Sequence, residues 1–287
     1  VMRQYLVVLE LHLLAAINKM TTTLTIIFFI FGLIIGSFLN VVIFRFNTGK
    51  SFKGRSMCLS CGHTLSWHEL IPLFSFLFLK GRCKACKTKI SLQYPIVEFI
   101  SGFIFAFLFL KFKDVFFYNT TIFTISYAYY TTMFSMLLCV AVYDLKHKII
   151  PDVFALFFGV LAFLGLFLFQ NDLFYIHIPF VWDIFSGLIF ALPFALLWLV
   201  SRGAWIGLGD AKIALGLGWM LGISRLLPGA VIAFWAGAIV GLLLILFSKK
   251  YNAKSEVPFA PFLFLGTLLV FLFELLTYYP KLLLRLF

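Results

Sequence analysis

A chain of 287 residues that is 63% hydrophobic and only 12% charged carries too little polar surface to stay in solution, which excludes an ordinary soluble domain. A net charge of +12 raises nucleic acid as a partner, but the basic residues flank apolar runs and do not line an exposed recognition surface, so nucleic acid is not expected. Two roles remain for that charge: a topology signal with attraction to anionic lipid, or steering of an acidic partner segment.

In chain order, Val1 to Lys19 come first, apolar with a few charges and followed by Met20 and Thr21-Thr22-Thr23. They lack a clear basic start and small-residue cleavage site, so a removable signal peptide does not fit. Met20 opens directly onto the first long apolar run, and residues 1–19 are expected to be an upstream extension or an extra amphipathic segment. About 20 apolar residues cross about 30 Å of hydrocarbon. Eight stretches are expected to span: Leu24 to Phe44, Tyr94 to Leu110, Thr121 to Tyr143, Val153 to Phe169, Phe180 to Val200, Ala211 to Leu221, Leu226 to Phe247 and Val257 to Tyr278. The sixth is short and rich in glycine (Gly216, Gly218, Gly222), the pattern of a partial or tilted span. Gly32-x-x-x-Gly36 and Gly237-x-x-x-Gly241 read as helix-packing motifs. The fold class is therefore an all-α integral membrane protein of about eight transmembrane helices, with residues 20–46 forming the first.

Between spans one and two, Asn47 to Gln93 turn polar, basic and cysteine-bearing. A segment this small cannot bury a large core and needs a metal or disulfide staple. Cys58-Leu59-Ser60-Cys61 and Cys83-Lys84-Ala85-Cys86 supply two C-x-x-C pairs, four soft ligands suited to tetrahedral zinc. Lys80, Lys84, Lys87, Lys89 and Arg82 would stabilise the thiolates. A redox pair is the rival reading, unpaired thiols a more distant one. His63 and His68 are near enough to substitute, but four cysteines fill the shell. Cys139, within the third span, reads as a small buried apolar residue.

Comparing alternate loops places 16 of the 23 Lys and Arg residues on the side of the cysteine loop, which by the positive-inside rule is cytoplasmic, with both termini outside. A reducing compartment favours metal over disulfide there. Eleven acidic residues exist, and those at the hydrocarbon edge are functional candidates because ionisable groups are costly there. Asp144 ends the third span in Asp144-Leu145-Lys146-His147-Lys148-Ile149-Ile150-Pro151-Asp152, and Asp210 precedes the sixth in Gly207-Leu208-Gly209-Asp210-Ala211-Lys212. Asp144, Asp152 and Asp210 all fall on the cytoplasmic side by this topology. Two carboxylates brought together share a proton, the working state of an aspartic protease, with water as the nucleophile. Interfacial Asp residues also simply cap helices, and the residues alone leave both readings open.

Those motifs resemble the bacterial prepilin peptidases, the type IV leader peptidases among the GxGD membrane aspartic proteases, over nearly the whole chain from Met20. Gly36-Ser37-Phe38-Leu39-Asn40 through Arg45 is similar to the family's opening signature. Trp67, Leu70-Ile71-Pro72, Ser75, Gly81-Arg82-Cys83, Ile90-Ser91 and Tyr94-Pro95 with Glu98 follow in the family's order. Leu59 departs from it, since proline is usual at that place. The resemblance implies catalytic Asp144 and Asp210 with Asp152 supporting, and makes residues 94–287 the peptidase domain. It implies prepilin or pseudopilin substrates cut after a glycine at the cytoplasmic face of the bacterial inner membrane. S-adenosylmethionine-dependent N-methylation of the new N-terminus, associated with residues 47–93, is implied by the resemblance alone. A transporter would place its acids near the midplane, and a thiol oxidoreductase would keep its C-x-x-C thiols metal-free.

Overall fold

The computed structural model describes residues 2–49, 51, 54–248 and 257–273. The expected end of the eighth span at Tyr278, and the basic residues Lys50, Lys53, Lys249, Lys250, Lys254, Lys281 and Arg285 used in the charge comparison, lie outside them. The described chain is mostly helical, with one short hairpin, the cysteine-bearing loop and brief connections between helices. It divides into two compact units, Val1–Thr120 and Thr121–Phe287.

In the first unit α1 (Met2–Arg45) packs on α3 (Gln93–Tyr118). Small residues let the two backbones approach: a Cβ on Gly32 would lie 2.7 Å from Phe105 Cβ, and one on Gly36 2.7 Å from the Glu98 Cα. The first G-x-x-x-G pair thus works as expected. Ser101 Oγ donates to the Gly32 carbonyl at 2.7 Å, and Asn40 Nδ2 to the Tyr94 carbonyl at 3.2 Å. In a low-dielectric setting such bonds satisfy polar groups that have no water to turn to. Between the helices the loop carries a 3₁₀ turn (Trp67–Leu70) and a short α2 (Phe74–Phe78).

In the second unit α4 (Thr120–His147), α5 (Asp152–Leu168), α6 (Val181–Ser201), α7 (Leu208–Phe247) and α8 (Ala260–Phe273) follow in order. α7 packs against α5, α6 and α8, while Tyr130 and Phe134 of α4 meet the fully buried Phe271 of α8 at ring centroids of 4.5 and 5.3 Å. Among the described residues five helices are long and apolar enough to cross a membrane, and α5 and α8 are shorter apolar ones. α7 joins the expected sixth and seventh spans, but Gly222 breaks it with φ 68° and ψ 169°, a backbone conformation that costs glycine little. The short glycine-rich sixth span is residues 208–221 of this broken helix.

Two details depart from expectation. A Cβ on Gly237 would lie 3.3 Å from the Phe262 ring, but one on Gly241 would meet nothing within 4 Å among the described residues, so within those residues only the first glycine of the second G-x-x-x-G shows a packing contact. α5 and α6 are joined by an antiparallel hairpin, β1 (Phe169–Gln170) and β2 (Leu173–Phe174). Its turn residues Asn171 and Asp172 both have positive φ, the two-residue turn that asparagine and aspartate tolerate. Asp172 accepts from Arg225 of α7 at 2.6 Å and from the Tyr130 hydroxyl at 3.4 Å. Both charged side chains are shielded, at 9% and 14% exposure, as paired charges inside a membrane protein must be.

Candidate functional sites

The cysteine loop is built from two turns of the same design. Gly62 N–H donates to the Cys58 carbonyl at 3.0 Å and Cys58 N–H to the His63 carbonyl at 2.8 Å; Lys87 and Cys83 repeat this with the Cys83 and Thr88 carbonyls at 3.0 and 2.9 Å. Gly62 and Lys87 hold the matching left-handed position. Each turn aims two sulfurs inward, and all four Sγ atoms lie within 4.8 Å of one another. Cys58 to Cys86 is 3.8 Å and Cys61 to Cys83 is 4.0 Å. A tetrahedron with metal–sulfur bonds of about 2.3 Å has edges of about 3.8 Å, so the donor set fits a tetrathiolate metal ion.

The thiols also divide electrostatically. Hydrogen bonding to the Thr88 side chain and backbone pulls Cys86 down to about 6, and the Cys61 and Ser60 backbone N–H groups lower Cys58. The His63 backbone N–H pulls on Cys61 too, yet desolvation and the adjoining thiols outweigh it and push Cys61 up to about 11. Four sulfurs this close cannot all carry charge without a cation among them. His63 stays outside the cluster, with Nε2 3.4 Å from Glu69 Oε2. His68 Nε2 lies 3.0 Å from Ser66 Oγ. Glu69 is held down to about 2, first by the Ser66 hydroxyl and then by the Ser66 N–H. Cys139 is buried in α4, as its sequence context implies.

The second site lies in the second unit. α4 ends where Lys148 adopts φ 55° and its N–H caps the Asp144 carbonyl at 2.7 Å. Pro151, which fixes φ without needing a donor, then precedes α5. This break leaves Asp144 in the last turn of α4. Gly207 is the N-cap of α7, which leaves Asp210 in that helix's first turn. A Cβ on Gly209 would lie 2.8 Å from Ile150 Cβ, so the glycine is what lets the two acid-bearing segments close on each other.

Asp144 and Asp210 are both buried and both line one cavity of about 410 Å³. Lys148, Asp152 and Lys212 are its other charged residues, and Ile150, Trp205 and Phe259 supply apolar wall. Both acids open onto this cavity. Their hydrogen bonding differs. Asp144 Oδ2 accepts from the N–H of Ala260, first residue of α8, at 3.2 Å, whereas Asp210 Oδ1 is shielded and has no hydrogen-bond partner among the described residues. Asp152 stands apart: it is exposed and pairs with Lys212 at 2.6 Å. Ala260, Trp205 and Phe259 were not singled out in the sequence; only Pro258, set just before an apolar run, marks the start of α8 there.

These features define a multi-pass α-helical membrane protein with a metal-capable cysteine loop and a cavity carrying two buried carboxylates. Residues 30–112 match the bacterial Peptidase A24 N-terminal domain and residues 131–245 the type IV leader peptidase family. The chain is 30% identical to the prepilin leader peptidase/N-methyltransferase of Bacillus subtilis over 263 residues, 89% of this chain and 97% of that protein. It is 34% identical to the protein of the same name from Myxococcus xanthus over 234 residues, 79% of this chain but 65% of that longer relative. It is 31% identical to the type 4 prepilin-like proteins leader peptide-processing enzyme of Escherichia coli, over 82% of this chain and 88% of that one. No solved structure matches the chain. The chain belongs to the bacterial prepilin leader peptidase/N-methyltransferase family.

Proposed function

We propose that this chain removes the short basic leader of a type IV prepilin or pseudopilin, cutting after a glycine with Asp144 and Asp210 as the catalytic pair. The observation that carries this reading is the shared cavity, in which two buried carboxylates have unlike surroundings. The N-terminus of α8 favours negative charge on Asp144. The Oδ1 of Asp210, which has no partner among the described residues, is the natural home of the shared proton, because a buried polar atom needs a hydrogen bond and a proton lets it donate one. Asp144 therefore takes a proton from water while that water's oxygen attacks the scissile carbonyl, and Asp210 gives its proton to the carbonyl oxygen. In collapse the roles exchange: Asp144 returns its proton to the leaving nitrogen, Asp210 recovers one from the oxygen, and the carbon–nitrogen bond breaks.

The four cysteines would hold a structural zinc ion, which closes the loop and supplies no step of the peptide cleavage. From the relatives' name we infer N-methylation of the new N-terminus with S-adenosylmethionine as donor. The excess of basic residues in the loops bearing the cysteines, Asp144 and Asp210 supports cytoplasmic placement of all three at the inner membrane. A leader retained in the cytoplasm would then meet the acids on its own side.

Full-length enzyme in membranes, incubated with a leader-bearing prepilin and S-adenosylmethionine, tests the proposal by mass spectrometry of the product. The expected product lacks the leader and carries one methyl group. Intact prepilin would overturn the peptidase reading, and cleaved but unmethylated product the methylation reading. Orientation is tested separately with Ser51→Cys and Asn171→Cys, each with the native cysteines protected: a membrane-impermeant thiol reagent applied to intact cells should label only the second.

A further inference from the structure

We infer that the cysteine loop is itself seated in the membrane interface, with the apolar face of its 3₁₀ turn and α2 inserted among the acyl chains of an anionic bilayer. This does not rest on the acid pair. The loop is polar by composition, yet Trp67, Phe74, Leu77 and Phe78 are 79%, 56%, 70% and 82% exposed. Leu70 and Ile71 are exposed as well, so six apolar side chains open outward along the 3₁₀ turn, the link after it and α2. Residues between them turn inward: Glu69 is buried, and Phe76 folds back over Gly81. An exposed apolar row of this size on a loop with no core of its own calls for an apolar partner.

Three observations identify that partner as lipid. Leu73, at the junction of the two short helices, donates its N–H to Glu98 Oε2 at 2.8 Å. Glu98 lies five residues into α3, about 7–8 Å along a helix long enough to cross the membrane. The row is thereby pinned level with the first turns of a transmembrane helix, the depth at which amphipathic helices lie. Second, α3 carries an exposed apolar stripe of its own, Ile96, Phe99 and Phe103, so lipid already reaches this depth. Third, Lys80, Arg82, Lys84, Lys87 and Lys89 are all exposed, and Glu69 is the only acid between Asn47 and Gln93. Aromatic and aliphatic groups beside clustered cations match an anionic headgroup layer above acyl chains.

The test places a photoreactive residue on the row, Phe78→p-benzoylphenylalanine, in full-length enzyme reconstituted into nanodiscs of phosphatidylcholine with or without phosphatidylglycerol. At a position 82% exposed this aromatic exchange leaves the fold intact. Cross-linking to lipid acyl chains is expected, several-fold higher in the anionic discs, with Lys80→Gln and Lys89→Gln together removing most of that gain. Hydrogen exchange at residues 74–79 should slow in the same order. Cross-links confined to the enzyme's own chain, to a second copy or to an added prepilin would overturn the inference, as would lipid yields indifferent to phosphatidylglycerol.

Discussion

The cysteine loop and the acid cavity position their chemistry by opposite means. In the loop the side chains that would bind the ion also hold the fold: two short turns converge on four sulfurs within 4.8 Å of one another, and little buried core lies behind them. In the cavity the acids hold little together beyond the bond that Asp144 accepts from the Ala260 N–H. Asp144 and Asp210 are carried by helix ends whose placement depends on Pro151, on the contact between Gly209 and Ile150 and on the first N–H of α8. A loop built the first way should fail all at once when a ligand is removed. A cavity built the second way should lose chemistry without losing structure.

The largest effect is expected where fold and ligand coincide. Cys58→Ser or Cys83→Ser should reduce bound zinc from one ion per chain to none and leave residues 54–92 open to proteolysis, since apparent binding energies at such sites run to about 10–16 kcal/mol. Metal analysis with limited proteolysis reads both, and a loop that stays protected without metal would erase the contrast. Next comes the ion pair remote from the acids. Arg225→Met takes the guanidinium away from the shielded Asp172, which should cost about 3–5 kcal/mol of stability, visible as earlier thermal unfolding in detergent. Gly209→Ala forces a methyl against Ile150 and should cost about 1–3 kcal/mol, with cleavage falling far more than stability if the two segments separate. Asp152→Asn breaks an exposed pair with Lys212 and should change stability by less than about 1 kcal/mol, with only a mild loss of turnover. A large loss from Asp152→Asn together with a tolerant Asp144→Asn would move the catalytic pair by one motif.

Residue chemistry decided how much of this was legible beforehand. The spans were readable because apolar length is a one-dimensional property, and the broken α7 was foreshadowed by Gly216, Gly218 and Gly222. The four cysteines were readable because ligand type and spacing limit what they can bind. Contacts set by tertiary placement were not readable. Nothing local to Asp144 indicates that the N–H of Ala260, 116 residues away, will donate to it, or that Asp210 Oδ1 will lack a partner among the described residues. Gly241 carries the same motif as Gly36 but has no neighbour at its Cβ position among the described residues, because a small-residue pattern permits close packing without supplying the neighbour. The hairpin at Asn171-Asp172 escaped notice because two-residue strands are too short for any periodicity, although the turn residues themselves were a cue.

The central claim is that Asp144 and Asp210 form one catalytic pair separable from the metal-held loop, and Asp210→Asn tests it most directly. The amide preserves the shape of the side chain but cannot give up the proton placed on Oδ1. Measured on one purified sample, bound zinc and thermal stability should match the unaltered enzyme while prepilin cleavage falls by on the order of 10²–10⁴-fold, the usual worth of a general acid. Cleavage within a few-fold of normal in a zinc-loaded, folded Asp210→Asn protein would contradict the account.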